Sequence, residues 1–98
     1  MNVIVDDNAK RKIEAKNADT VHCFLFMCAS WGGTHLDPTV RVGMPARAAD
    51  FDRFENNGIT VYVKKGTPCP SGTLTVTVGS FLWFEKLLVE GMLEAPNF

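Results

Sequence analysis

Ninety-eight residues, 46% of them hydrophobic, suffice for one domain spanning 1–98 with a modest core, and leave too little chain for a second. Ten basic residues against eleven acidic ones give a formal charge of −1, which offers no electrostatic footprint for nucleic acid or an anionic membrane surface. The polar start MNVIVDDNAKRK is unlike a signal peptide and no apolar run approaches a membrane span, so a cytoplasmic location is expected.

Asn2–Val5 reads as a short strand. DDNAKRKIEAKN follows as a brief helix: Asp6 or Asp7 can cap it, Ala9 and Ile13 share a face, and Asn17 tolerates the left-handed conformation that ends helices. Its apolar stripe is narrow, which predicts a helix lying against a sheet, and Lys10-Arg11-Lys12 fits its solvated side. Thr20–Met27 is strongly strand-like, with Val21, Cys23, Leu25 and Met27 on one face and His22, Phe24, Phe26 and Cys28 on the other. Both faces are largely apolar, which predicts cover on both sides. The residues after Cys28 then read as a loop, with extended alternation resuming at Thr39–Val42 and a connector marked by Gly43 and Pro45.

Asn57-Gly58 is a favoured pair for a tight hairpin, and Ile59, Val61 and Val63 form one face of the strand that follows, opposite Tyr62. Gly66–Gly72 is a Pro-bounded loop carrying Cys69, and Thr73–Val78 is again β-like. The tail supports two readings. One is a helix capped at Ser80 with Leu87, Leu88, Met92 and Leu93 on its stripe; the other is a turn at Phe81–Phe84 followed by a strand at Lys86–Glu90. One small helix and five or six short strands make an α+β domain that is mostly β.

Three cysteines, an odd count, fit a reducing compartment better than a disulfide framework. Cys23 sits mid-strand, where a thiol usually behaves as a small hydrophobe. Cys28 stands at the strand-to-loop junction, where access and nearby backbone N–H groups favour a functional thiolate. Cys69 lies between Pro68 and Pro70 without a local base. Cys23 and Cys28 are an odd number of residues apart, so one strand sends them to opposite faces and they cannot share a metal without a bulge. A metal site would have to be drawn from Cys28, His35, Asp37 and Cys69, or from thiols pooled by two chains. Cys28 with His35 and Asp37 also forms the residue set of a cysteine nucleophile, although Asp37-Pro38 has an ordinary reading as a turn initiator and His22 as a strand residue. Trp31, beside Gly32-Gly33, reads as a loop anchor or an oligomer contact, and no phosphate-binding glycine pattern occurs.

NVIVDDNAKRKIEAK, FLFMCASWGG, TVRVG and FENNGITVYVKKGTPCPSGTLTVTV follow one another in an order that resembles the HesB/IscA-like domain of A-type iron–sulfur carriers. TVRVGMP, NGITVYV and LVEGM resemble more specifically the CC/Se motif branch of HesB-like proteins. The resemblance implies a small HesB-like fold whose tail is a strand, and so favours strand over helix at Lys86–Glu90. It places Cys28 where the carriers have their first cysteine. It also exposes departures: EGMLEAPNF lacks the carriers' C-terminal Cys-Gly-Cys, and Ala29-Ser30-Trp31-Gly32-Gly33 lacks the branch's doubled cysteine. The implied function is a thiol-dependent metal, iron–sulfur or redox protein acting through Cys28, with Cys69 and His35 as further ligands. Its cofactor would be iron, an iron–sulfur cluster or zinc, or none. The alternative is a non-catalytic module that kept the fold and lost the ligands, using Trp31, Phe81, Trp83 and Phe84 on a homo-oligomer or partner surface.

Overall fold

Alternating Val and Ile residues in short runs bury one face each, and the chain satisfies them by packing two mixed sheets around a shared core. The computed structural model describes residues 1–92, apart from the side chains of Ser30 and Phe81. Its elements run β1 (Asn2–Val5), α1 (Asp7–Glu14), β2 (Thr20–Ser30), β3 (Gly33–Val42), a single 3-10 turn (Ala48–Asp50), β4 (Phe51–Asn56), β5 (Ile59–Lys64), β6 (Thr73–Phe81) and β7 (Phe84–Glu90). One sheet has the order β1-β6-β7 and the other β3-β2-β5-β4. Parallel pairing of β1 with β6 and of β2 with β5 makes both sheets mixed. The domain is thus mostly β with one short helix, as the succession of short strand-like runs predicts.

Asp6 caps α1 by accepting from the Ala9 N–H at 2.7 Å, while Thr77 Oγ1 donates to the second oxygen of the same carboxylate. One side chain therefore starts the helix and ties it to β6. Ala9 and Ile13 are fully buried, and Asn17 adopts φ +56 where the helix gives way. The Asn57-Gly58 turn has positive φ at both positions, the signature of a type I′ hairpin. Its neighbours pin it across the molecule: Asn56 Oδ1 accepts from Val5 N, and the Asn57 amide donates to Val5 O and Asp7 Oδ1. Ile59, Val61 and Val63 join Val21, Cys23, Leu74 and Val76 in the core.

The tail is a strand. β7 pairs antiparallel with β6 from Phe81↔Phe84 to Thr75↔Glu90, which overturns the helix reading and shortens the expected turn to Leu82-Trp83. Leu93, named in that helical stripe, lies outside the described residues. A larger correction concerns residues 29–38. They are not a loop but most of a long hairpin arm, with β2 running to Ser30 and β3 starting at Gly33. Asp37-Pro38 accordingly lies inside β3 and initiates no turn. Nor is β2 covered on both faces along its length, since Phe26 is 50% and Met27 67% exposed. Among the described residues no helix is long and apolar enough to cross a membrane.

Candidate thiol site on the β2–β3 hairpin

The Gly43 N–H donates to Thr20 O at 2.7 Å, which makes 20/43 a hydrogen-bonded pair. In an antiparallel ladder such pairs alternate, so 22/41, 24/39, 26/37 and 28/35 share this character. Pro38 faces Leu25 at a position of the other kind, where its missing N–H points to the free edge and costs the ladder nothing. That register explains how a proline sits within a strand, and it fixes which side chains are neighbours.

Cys28 is directly opposite His35. Val21 and Cys23 face the core, so strand alternation turns Cys28 and His35 to the outer face of the sheet. Side chains in such a pair have their Cβ atoms about 5 Å apart, close enough for a thiol and an imidazole to hold one ion. Cys28 is half-buried and His35 exposed. Asp37 shares this face one pair along, opposite Phe26. No hydrogen bond joins the side chains of Cys28, His35 and Asp37, so nothing orients the imidazole as a nucleophile's base would need.

Cys69 stands elsewhere, in the loop between β5 and β6, half-buried against the hydrophobic core. Among the described residues no three His, Cys, Asp or Glu side chains form a metal-holding group. The structure thus brings Cys28 and His35 together and does not add Cys69 or Asp37 as a third donor. Cys23 is fully buried, and desolvation pushes its thiol from 9.0 up to about 12. It remains a core residue. All three cysteines are unbridged.

The loop reading of the chain hid the pairing of 28 with 35, which follows from the position of the turn. A two-residue turn at Trp31-Gly32 makes Ser30 face Gly33, and counting back two positions sets Cys28 against His35. His22 is a strand residue of β2, as read from the chain, but its surroundings were not legible there. Its Nδ1 lies 2.8 Å from Gly43 O, and its ring stacks near-parallel on Phe24 and meets Phe51 edge-on. A carbonyl oxygen only accepts, so Nδ1 carries the proton and Nε2 is the lone-pair nitrogen of the neutral ring. Recesses of about 590 Å³ along β3 and β7 and about 420 Å³ beside His22 are lined by residues other than Cys28 and His35.

No curated protein matches the chain. A family model does, that of the CC/Se motif containing family, over residues 1–92, and it reaches from β1 past the end of β7 through the Cys28 hairpin; the chain belongs to that family.

Proposed function

We propose that this is a thiol-dependent metal-binding protein in which Cys28 and His35 supply two donors to a soft metal ion, zinc or iron. The observation that carries this reading is their direct opposition across β2 and β3 on an accessible face. Thiolate and imidazole together suit zinc, and a thiolate with an open coordination sphere suits transfer or redox exchange. One chain provides two donors, whereas tetrahedral zinc takes four. The others come from outside, as a partner's thiol, a small-molecule ligand or a second copy. An iron–sulfur cluster fits one chain poorly, because it needs several thiolates and among the described residues no group of three metal donors forms around Cys28. A HesB/IscA-like ancestry belongs to the same reading and rests on element order and the place of Cys28. A reducing, cytoplasmic setting suits a free thiol of this kind.

The test is anaerobic purification with metal analysis and an absorption spectrum, on the parent chain, C28S and C69S. The parent and C69S should carry zinc or iron, and C28S should carry at least tenfold less. Equal metal in C28S would contradict the proposal.

A second reading, an interaction module, is favoured by bare apolar tips: Trp31 is fully exposed, Trp83 88% and Leu82 79%. Large exposed side chains clustered at two hairpin ends mark a contact surface more readily than a lone one does.

A further inference from the structure

Six residues before Cys28 along β2, about 20 Å away on the same outer face, lies a second constellation that the thiol reading does not use. The recess of about 420 Å³ is walled chiefly by His22, Phe24, Arg47, Asp50, Phe51 and Lys64. Its aromatic lining has a definite geometry. The His22 and Phe24 rings are 13° from parallel at 5.7 Å, and Phe51 stands at 90° to His22 at 6.1 Å. The three rings therefore form a corner, in which a flat guest can stack on one wall and meet the other edge-on. The hydrogen bond to Gly43 O fixes the His22 plane, so the corner is built before any guest arrives.

Charge around the corner is unbalanced. Lys64 lies 5.4 Å over the Phe51 ring and 3.8 Å from Asp50, so those two charges offset each other. Among the described residues Arg41, 5.8 Å over the Phe24 ring from the β3 side, has no acidic partner, and neither does Arg47 at the rim. On a chain of net charge −1, Arg47 and Lys64 in the recess wall and Arg41 beside the Phe24 ring outnumber the single carboxylate there, Asp50, which leaves a local excess of positive charge. Two cations are too few to hold a nucleic-acid backbone, but they are sufficient for one planar anion, which a guanidinium grips through two parallel hydrogen bonds.

We infer that this recess binds a small planar aromatic carboxylate, its ring packed against Phe24 and Phe51 and its anionic end held by Arg41 and Arg47. An apolar recess with a few convergent polar groups is the usual form of a small-molecule site. The His22 Nε2 adds one hydrogen-bonding position, and the exposed arginines choose an acid over a neutral ring.

The experiment titrates the ¹⁵N-labelled protein with 2-naphthoate, and separately with uncharged 2-naphthylmethanol, following backbone amide shifts. Saturable shifts should fall on residues 22–24, 43–51 and 64. Arg47→Met and Arg41→Met should each weaken 2-naphthoate at least fivefold and leave 2-naphthylmethanol unchanged. Both arginines are exposed, so neither variant disturbs the core, and Phe24→Leu should weaken both ligands. Three outcomes would overturn the inference: no saturation at millimolar ligand, equal affinity for the charged and uncharged rings, or shifts confined to the hairpin tips around Trp31 and Trp83.

Discussion

The three thiols differ by environment rather than by chemistry. Burial pushes Cys23 from 9.0 up to about 12, so at neutral and mildly alkaline pH it carries almost no thiolate. Cys28 and Cys69 are half-buried and reachable. Iodoacetamide at pH 8 should therefore modify two cysteines in the native protein and three in denaturant, read by intact mass; modification of all three in the native state would contradict the burial of Cys23. The same shift has a consequence for stability. Below pH 9 the thiol is protonated in both the folded and the unfolded chain. As pH rises from 9 toward 12 the unfolded chain loses its proton first, so Cys23 costs the fold about 1.4 kcal/mol per pH unit in that window. Urea midpoints of the parent and Cys23→Ala should converge as pH climbs above 9. A constant gap would show that Cys23 titrates alike in both states and would contradict the shift.

Among the elements, α1 and the β4–β5 hairpin were legible in the chain because each carries a local signal at its ends. Asp6 and Asn17 bracket the helix, and Asn57-Gly58 can do little but reverse direction. The β2–β3 arm carried no such signal. Beyond Leu25 its side chains are mostly exposed, so burial imposes no apolar alternation, and Gly32-Gly33 and Pro38 imitate a loop. Backbone pairing alone holds it as strand, and pairing is not written in composition. That is why Cys28 was legible as a site while its partner's position was not. Removing the cap by Asp6→Ala should cost about 1–2 kcal/mol, since the helix loses its first N–H acceptor and its tie to Thr77. Gly91→Ala should cost more, about 2–4 kcal/mol. Its φ is +101, and an added Cβ would overlap the Thr73 carbonyl, where neither backbone can yield. Urea denaturation measures both.

Over the whole molecule, stability and the surfaces offered for contact are kept apart. The buried cluster lies between the sheets, whereas Trp31 and Trp83 project from hairpin ends and pack on nothing that holds the fold. The double substitution Trp31→Ser, Trp83→Ser should leave the urea midpoint nearly unchanged, since surface changes usually fall within about 0.5 kcal/mol. If the interaction reading holds, it should also reduce self-association or partner binding in sedimentation velocity. The fold class was readable from short β-rich runs and one capped helix. The outer face of the β3-β2-β5-β4 sheet was not, because it joins residues from four strands and a connector that only topology brings together.

The central claim is that Cys28 and His35 act as one metal-binding pair. Cobalt(II) reports thiolate ligation directly, through a sulfur-to-metal charge-transfer band. Titrating the reduced protein anaerobically should give that band in the parent and in C69S, weaken it in His35→Ala, and abolish it in C28S. A band of full strength in C28S, or one lost in C69S while C28S keeps it, would contradict the account.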